Sequence, residues 1–422
     1  MTERSVFIRG CLYLQNKKHI LIVGAGYAGL HAARKLSSSL GKDTSITLID
    51  KNDVHVRLSE LYEVAGNRVE PRLVATPIKK YVKRASFLKG EVKKIDFIQR
   101  KVSTDADILK YDYLILAVGS EPEFFRVPGT REHSFPLWTL EDAKRIKDHI
   151  GSMFVSAQEE QDAGRELLNF VVCCGGLTGV EVAGEMAEWF VALSRKYNVS
   201  KDQVNLILVE ALADLLPTLR PSLVDKSKRI LKSKGVQIMV NSPIARVGPN
   251  YVELKSGEKI MTRTSIWAAG ICANRIVDGL GLKTFGRNRI GVNKYLQVTD
   301  HPEVYAIGDC AYFITDDGTP LPQFVEAALQ TADCAAHNIL AELKGKSKKE
   351  YKPKIHGTVV SIGSKYAVVD MVNLPLIGGL AFSGFLAMLL KHLFNIYYIV
   401  RDLGDVGLAF EYIYGRVLSN RR

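Results

Sequence analysis

Two sets of glycines in this chain have the spacing that lets a polypeptide bind the pyrophosphate of a dinucleotide. The first set is Gly24, Gly26 and Gly29, and Asp50 follows Gly29 by 21 residues. In such a motif the first glycine allows a tight turn, the second lets phosphate approach the backbone, and the third lets a helix pack closely on a strand. A carboxylate placed like that of Asp50 can accept hydrogen bonds from ribose hydroxyls. These residues therefore predict a dinucleotide site.

The second set lacks its first glycine. Gly176 and Gly179 occupy the second and third positions of the motif, whereas Cys174 stands at the first. The turn is tighter than a cysteine prefers, because glycine alone adopts such a backbone freely. Glu210 ends the next apolar run and is expected to accept the ribose hydroxyls of an adenosine. Its charge repels a 2′-phosphate, which predicts NADH rather than NADPH.

Apolar strands and helices must hold both sets of residues in place. The apolar runs at 20–23, 47–50, 170–173 and 205–210 are typical of strands buried in a parallel sheet. A helix is predicted directly after each glycine set, and the second covers 180–197. Free N–H groups and the dipole at each helix N-terminus favour phosphate. The pattern predicts an α/β fold with two Rossmann-like dinucleotide-binding domains, whose nucleotides lie across from each other.

Further residues beside these strands are candidates for cofactor contact. The strands predicted at 113–120 and 264–270 end in small residues, so that Gly119 and Gly270 let the chain pass close to a cofactor. His55 follows the loop after Asp50, at the edge where parallel sheets bind ligands. A histidine there either contacts the cofactor or serves as a structural hydrogen-bonding group, and the sequence leaves both open.

A later apolar strand ends at Asp309, whose carboxylate can bind a ribityl hydroxyl of a flavin. A helix is expected to open at 310–311 against that flavin, although an aspartate before a helix is also a common N-cap. The helix that follows carries Glu326 and Gln330, polar side chains that could line the access of a second substrate. Ala327, between them, is expected to contact the cofactor.

The C-terminal region differs in kind from the rest. Residues 371–390 carry no charge over 20 positions, which is just long enough to span a bilayer. Glycines and a proline interrupt this run, and 366–372 has the pattern of a strand. From Phe382 onward apolar residues recur at helical spacing, which predicts an amphipathic helix lying in a membrane interface. A helix that covers the core or forms a homodimer stays open.

Charge favours a lipid partner for this protein. The formal net charge is +12, which suits an anionic membrane or a nucleic acid. No basic stripe interleaved with aromatic residues is present, so we expect a membrane surface and no nucleic acid. Arg416, Arg421 and Arg422 at the C-terminal end are expected to add attraction to anionic lipid.

With these residues in view, the chain resembles the type II NADH:quinone oxidoreductases, which are membrane-surface flavoproteins with two dinucleotide-binding domains. The resemblance extends over nearly the whole chain from about residue 18. It rests on the segments VGAGYAG, KNDVHV with ELYEVAG, LTGVEVAGE, VEAL, AIGDCA and KIHGTVVSIG. It implies that FAD is contacted by Gly24, Ala25, Gly26, Tyr27, Ala28, Asp50, Lys51, Asn52 and Asp309.

The resemblance also implies roles around a quinone. It places Glu181 at the junction of the nicotinamide and quinone sites and Lys391 close to the flavin. The family's quinone-side helix usually carries Ala-Gln-x-Ala-x-Gln. Here only Ala328 and Gln330 remain, and Glu326 stands where a glutamine is usual. This departure from the family's motif bears on which electron acceptor the protein uses.

The expected activity is hydride transfer from NADH to FAD, then transfer of two electrons to a quinone, without proton pumping. Glu181, Glu326 and Gln330 are the expected catalytic residues, with Glu181 steering or relaying a proton. The expected location is the cytoplasmic face of the cell membrane, as a peripheral protein.

The order of these motifs predicts a chain of four parts. Residues 1–150 are expected to form the first part of the FAD domain, 151–285 the NAD(H) domain, and 286–350 the second part of the FAD domain. Residues 351–422 are expected to form the membrane-associating and dimer region. Residues 1–18 are expected to form a short extension.

Two other functions stay open. A sulfide:quinone oxidoreductase needs two cysteines that bracket the flavin, whereas Cys173, Cys174 and Cys310 lie inside cofactor-binding motifs. A redox sensor that binds FAD and NAD with little turnover would be favoured by Cys174 and Glu326. None of the six cysteines forms C-x-x-C, so neither a zinc site nor a disulfide-reductase couple is indicated.

Overall fold

The computed structural model describes four stretches of the chain: 17–41, 43–159, 165–374 and 378–419. Most of the predicted N-terminal extension, with Cys11, lies outside the described residues. The same holds for Arg421 and Arg422, for which attraction to lipid was predicted.

Six strands form the sheet of the first dinucleotide unit. Its central strand, Lys18–Val23, is parallel to both neighbours, and Ile20, Leu21 and Ile22 in it are fully buried. Burial on both faces explains why the run is apolar throughout. The spatial order of the strands is Gln297–Val298, His301–Ala306, Tyr113–Leu116, Lys18–Val23, Thr44–Asp50 and Ser86–Lys89.

Five parallel strands form the sheet of the second unit. Asn169–Cys173 lies at its centre, and its apolar side chains from Phe170 to Cys173 are fully buried. The predicted α/β fold with two Rossmann-like units is thereby confirmed. The spatial order of the strands is Phe135–Pro136, Thr264–Trp267, Asn169–Cys173, Asn205–Val209 and Val236–Met239.

Nine α-helices occur in the described residues. Helix α1 packs against α7 beneath the first sheet, and α4 packs against α5 beside the second. In chain order they are α1 Tyr27–Ser39, α2 Leu61–Ala65, α3 Thr130–His133, α4 Leu140–Glu159, α5 Leu177–Tyr197, α6 Pro221–Ser233, α7 Val325–Leu343, α8 Phe385–Tyr397 and α9 Val406–Ser419.

Two short antiparallel strands connect the units. Ser120–Pro122 pairs with Ile271–Ala273, and these are the two points where the chain crosses. The first crossing precedes Phe135–Pro136, which already belongs to the second sheet. The predicted limit at residue 150 therefore falls inside α4. Short strands rather than a glycine- or proline-rich linker make the crossing, so composition does not reveal it.

Small sheets flank the two large ones. Asp309 lies in a 3₁₀ turn, Gly308–Cys310, and the residues after it form a strand, so the helix predicted at 310–311 is wrong. The backbone of Ala311 pairs with that of Ile290 instead, which prevents a helix there. The small sheets contain Val54–Val56 with Ala75–Pro77; Val92–Asp96, Lys101–Thr104 and Ile108–Lys110; Ile244–Val247, Tyr251–Leu254 and Lys259–Met261; and Thr284–Phe285, Arg289–Gly291 and Ala311–Tyr312.

The C-terminal region begins as a three-stranded antiparallel sheet of Gly357–Ser361, Ala367–Leu374 and Gly378–Gly384. Helix α8 follows at once, and a π-helical turn leads to α9, which the sequence did not predict. The predicted helix start near Phe382 is three residues early, because Phe382 pairs with Val369 as part of the sheet. Among the described residues, none of the helices combines the length and apolar character that crossing a bilayer requires.

Candidate active site

The first glycine turn leads directly from the central strand into α1. Gly24 has a φ of +100°, and its N–H donates to the carbonyl of Ile49 at 2.8 Å. A Cβ on Gly29 would lie 1.8 Å from the carbonyl oxygen of Gly24, so only glycine lets α1 approach this closely. A Cβ on Gly26 would meet nothing within 4 Å, which leaves open space above the turn. That opening fits a pyrophosphate lying against the backbone.

Asp50 closes this turn from the end of the neighbouring strand. Its carboxylate accepts the N–H of Ala25 at 2.7 Å and that of Asn52 at 2.8 Å. Burial raises the pKa of Asp50, while these two N–H groups oppose the shift. The acid therefore holds the turn in shape as well as facing the nucleotide position.

The second turn repeats this geometry with a cysteine at its first position. Cys174 also has a φ of +100°, the conformation that the motif predicts and a side chain disfavours. Glu210 accepts the N–H of Gly175 and the N–H of Leu212, both at 2.7 Å. The Cys174 thiol donates to the same carboxylate at 3.4 Å. Glu210 thus holds this turn through the backbone N–H of Gly175 and through the thiol of Cys174.

One cavity of about 2330 Å³ extends past both turns and reaches the C-terminal region. Most of the predicted site residues line it: Gly24, Ala25, Gly26, Tyr27, Ala28, Asp50, Lys51, Asn52, Gly119, Gly176, Glu181, Gly270, Asp309, Glu326, Gln330 and Lys391. The structure therefore brings residues from both units and from α8 to a single space.

Glu181 and Lys391 form a buried ion pair at the point where the second unit, α8 and the C-terminal sheet meet. The Lys391 ammonium contacts Glu181 Oε1 and also donates to Ser361 Oγ at 3.0 Å. The backbone N–H of Ser361 donates to the same Glu181 oxygen at 3.2 Å. Lys391 Nζ also lies 4.7 Å from the ring centre of Tyr62. Three elements distant in sequence thus fix a carboxylate at the wall of the cavity.

Asp309 also lines the cavity and lies beside the crossing strand Ser120–Pro122. Its carboxylate accepts a hydrogen bond from Ser120 Oγ at 2.6 Å, and burial raises its pKa. Gln323 donates to its carbonyl at 3.1 Å and so ties the segment before α7 to this turn. A buried acid with a hydroxyl partner fits a polyol chain lying along it.

Comparison with known proteins agrees with this geometry. The pyridine nucleotide-disulphide oxidoreductase family matches residues 18–332. A type II NADH:quinone oxidoreductase of Staphylococcus epidermidis is 31% identical over 94% of this chain and 98% of its own length. One from Staphylococcus aureus strain MSSA476 is 30% identical over the same shares. This chain belongs to the type II NADH:quinone oxidoreductases.

Solved structures show the same fold at lower identity. NDH2 from Plasmodium falciparum, solved in complex with NADH, gives a TM-score of 0.84 at 17% identity and covers 96% of this chain and 98% of its own. The sulfide:quinone oxidoreductase of Aquifex aeolicus gives 0.76 at 18% identity, over 93% of this chain and 94% of its own. The fold alone thus does not separate members of this oxidoreductase family from that other enzyme.

In this member of the family, His55 serves as a structural link. It is 1% exposed, and its ring nitrogens bond to the Ala25 carbonyl at 3.1 Å and to the Tyr398 hydroxyl at 2.9 Å. Burial lowers the pKa of His55 to about 4, so the ring is neutral. Of the two roles that the sequence left open for His55, these hydrogen bonds support the structural one, because both ring nitrogens are engaged within the protein. His55 instead ties the first glycine turn to the end of α8.

Ala327, for which a cofactor contact was predicted, is not among the residues that line the cavity. It is buried among the side chains between α1 and α7, and Ala328 rather than Ala327 lines the cavity. One residue on a helix corresponds to a rotation of about 100°, so neighbours in sequence face different sides. Gly29, Gly179 and Glu210 likewise lie behind the cavity wall, where they shape the two turns.

The polar residues of α7 are held by the segment that precedes the C-terminal sheet. Gln330 donates to the Lys354 carbonyl at 2.7 Å and accepts its N–H at 3.0 Å. Both ends of its amide are therefore committed to backbone. Glu326 bonds His356 through the backbone N–H at 3.1 Å and through the ring Nδ1. The sequence did not indicate His356 as a partner of Glu326.

A buried ion network beneath α9 was not predicted either. Arg416 is 5% exposed and donates to Glu60 at 2.8 Å while also contacting Glu63. The predicted attraction of Arg416 to lipid is therefore wrong, because its guanidinium faces the protein interior. Arg68 pairs with Glu63 at 2.7 Å and with Glu185 at 2.8 Å. The sequence signal for this cluster is limited to the spacing of Glu60, Glu63 and Arg68, which lie three and five residues apart in a largely apolar segment.

The described cysteines are free thiols. Burial, together with the charge of Glu210, raises the pKa of Cys174 to about 12. Burial raises the pKa of Cys310 to about 11, and its thiol donates to the Leu116 carbonyl at 3.3 Å. Thiols held in the protonated form are poor nucleophiles. Neither cysteine is thus suited to carry sulfur beside a flavin.

Proposed function

We propose that this protein oxidises NADH and reduces a quinone by way of a bound FAD. The observation that supports this most directly is the single cavity, because it is lined by both glycine turns and by α8. Two nucleotides and an apolar acceptor can then meet without a large movement of either unit. FAD, when bound, accepts a hydride and passes on two electrons.

The chain's own residues supply binding and orientation. Gly24–Ala28, Asp50, Gly119 and Asp309 would hold FAD along the first unit, as their positions on the cavity wall suggest. Gly176 and Gly270 face the space for NADH, and Glu210 disfavours a 2′-phosphate by its charge. The Glu181–Lys391 pair lies where the nicotinamide and the acceptor would meet, and Glu181 would steer a proton there.

We further infer that α8 and α9 dock the protein to a membrane surface. A band of large apolar side chains is exposed on these helices, with Phe385 68% and Phe410 70% exposed. Others on the two helices are Leu386, Leu389, Leu393, Phe394, Tyr397, Val406, Ile413 and Tyr414, and Val400 in the π-helical turn between them is exposed as well. An apolar face of this kind lies in a bilayer interface and gives a quinone a direct route to the cavity.

NADH is a cytoplasmic substrate, so docking is expected at the cytoplasmic face of the cell membrane. A second copy of the chain, forming a homodimer, is the competing occupant of the apolar face. Flotation of the protein with vesicles, compared with that of Phe410→Glu, tests docking, and light scattering of the detergent-free protein tests the dimer.

Anaerobic stopped-flow absorbance tests the proposed reaction. The flavin of the purified protein should bleach on mixing with NADH and recover on mixing with a short-chain quinone. Bleaching without recovery would contradict the quinone as acceptor, and slow recovery with every quinone would favour a redox sensor. Bleaching by sulfide but not by NADH would overturn the proposal.

Replacement of Glu181 tests the role of the buried pair. Glu181→Gln should keep FAD bound but slow turnover by about 10²-fold or more, since a positioned acid–base group contributes on this order. Glu188→Gln is the matched control, because Glu188 lies on the same helix and pairs with Lys234 and Ser364 outside the cavity lining. Equal turnover in the two variants would remove Glu181 from the reaction.

A further inference from the structure

Reduction of a quinone needs a proton that NADH does not supply. A quinone becomes a quinol by gaining two electrons and two protons. NADH releases two electrons and one proton together as a hydride, so each turnover requires one more proton from solvent. A group that delivers this proton must lie on the cavity wall and must also be reached by water.

Glu326 and His356 form a pair with both properties. Both residues line the cavity, and their side chains are 32% and 44% exposed. The Glu181–Lys391 pair, by contrast, is only 12% and 11% exposed. The two pairs lie near opposite ends of the strand Gly357–Ser361, because Glu326 bonds His356 just before it and Glu181 bonds Ser361 at its end. Five residues of extended chain separate positions 356 and 361, which corresponds to roughly 16 Å. The pair at the start of the strand is thus the one that water replenishes more easily.

The backbone around His356 holds the imidazole in place. Gln330 clamps Lys354, two residues earlier, through both atoms of its amide. On the other side, Val372 donates its N–H to the His356 carbonyl at 2.7 Å. Glu326 in the first turn of α7 then binds the backbone N–H and the ring Nδ1 of His356 together. The ring therefore has one preferred orientation.

This orientation assigns different roles to the two ring nitrogens. With Nδ1–H donated to the Glu326 carboxylate, Nε2 is the position at which a proton is gained or lost. Among the described residues, no hydrogen bond engages Nε2. Leu329 and Met371 line the same cavity beside the pair, since Leu329 follows Glu326 by one helical turn and Met371 pairs with Gly357. An apolar ring could lie against these side chains with its oxygen toward the imidazole.

We infer that His356 is the group that delivers the second proton to the reduced quinone, and that Glu326 positions it. In this step the Nε2–H bond of the imidazolium breaks, the O–H bond of the quinol forms, and the N–H electron pair stays on the ring. The neutral ring then takes a proton from water in the cavity. The inference rests on the proposed quinone activity. It explains why a carboxylate at position 326 is compatible with that activity, although the quinone-side helix of the family usually carries a glutamine there.

The test separates the two half-reactions by anaerobic stopped flow. In His356→Ala, bleaching of the flavin by NADH should keep its rate, while recovery with a short-chain quinone should slow by about 10²-fold. Imidazole added to the buffer should restore recovery in proportion to its concentration, because its protonated form can donate the proton that the missing ring would have supplied. Glu326→Gln should slow recovery less, and imidazole should not restore it, since the ring is still present.

Control variants distinguish a chemical role from damage to the fold. His337→Ala removes an exposed histidine from α7, the helix that carries Glu326, and should behave like the unmodified protein. His356→Gln, with a measured flavin content and quinone affinity, serves as a second variant if the alanine variant folds poorly. Unchanged recovery in the His356 variants, or slow recovery that imidazole does not restore, would overturn the inference. Failure of the unmodified protein to recover with quinone would instead contradict the proposed function.

Discussion

The two glycine turns are nearly identical in backbone and differ in one side chain. Gly24 and Cys174 share a φ of +100°. Each donates its N–H to the last apolar residue of the neighbouring strand, at 2.8 Å to Ile49 and 2.7 Å to Val209. The third glycine is equally crowded in both turns. A Cβ on Gly29 or on Gly179 would lie 1.8 Å from the carbonyl oxygen of the residue at the first position.

The difference lies in what stands opposite the first position. A Cβ on Gly24 would lie 2.2 Å from the carbonyl oxygen of Ala117, which follows the adjacent strand. Cys174 keeps its Cβ in the second turn, and its thiol bonds to Glu210. Positive φ alone therefore does not demand glycine at this position. The close approach of a neighbouring strand end makes the glycine obligatory in the first turn and leaves it replaceable in the second.

Gly24→Cys should have the largest effect on stability, because it places the residue found in the second turn at the crowded first position of the first turn. Strain at positive φ and overlap with Ala117 should together cost about 2–6 kcal/mol of unfolding free energy, and FAD should be lost. Urea unfolding and flavin content measure both effects. Gly41→Ala, at an exposed position with open space around it, is the control. A stable, yellow Gly24→Cys variant would refute the role assigned to Ala117.

Alanine in place of the third glycine of each turn should weaken the binding of one nucleotide and leave the other bound. Gly179→Ala must displace α5 by about 1 Å, which should weaken NADH binding by about 10²-fold while FAD stays bound. Gly29→Ala should instead lower the flavin content. Flavin absorbance and NADH titration of the two variants test this. Loss of both nucleotides in either variant would show that the turns are not independent.

Glu210→Gln should have a smaller effect, on specificity. The amide keeps the size of the side chain but removes the charge that repels a 2′-phosphate. The preference for NADH over NADPH should fall by about 10-fold, or about 1.4 kcal/mol. Ratios of kcat/KM for the two nucleotides measure the change, and an unaltered ratio would mean that another group excludes NADPH.

Cys174→Gly should have the smallest effect. Relief of strain at positive φ favours the variant, while the greater freedom of glycine in the unfolded chain opposes it, so the two nearly cancel to within about 1 kcal/mol. NADH affinity should stay equal or improve slightly. Thermal unfolding and NADH titration test this, and a large loss of either would mean that the thiol bond to Glu210 holds the turn together.

Prediction from the sequence succeeded where local rules decide the structure. Apolar strands, glycine spacing and terminal acids gave the two turns and the fold, because each of these acts within about 30 residues of chain. It failed at Asp309, where a helix was expected. The pairing of Ala311 with Ile290, 21 residues away in the chain, overrides local preference there.

The candidate site was predictable in its list of residues but not in its pairings. Glu181 and Lys391 were named separately, and only the folded chain brings them into contact across 210 residues. Arg416 was expected at the lipid surface, and the sequence left His55 open between a cofactor contact and a structural role. The packing of α8 and α9 against the first unit buries both side chains and gives each its partners.

The two nucleotide turns follow from the amino-acid sequence alone, since a turn of the backbone and the glycines it needs are local properties. The sequence also determined the apolar character of the C-terminal region. The folded chain was needed to show which acids pair with which bases, where the cavity lies, and that His356 is the partner of Glu326. Such pairings depend on how distant elements pack, and the free energy of burying their charges is lowered only when the partners meet.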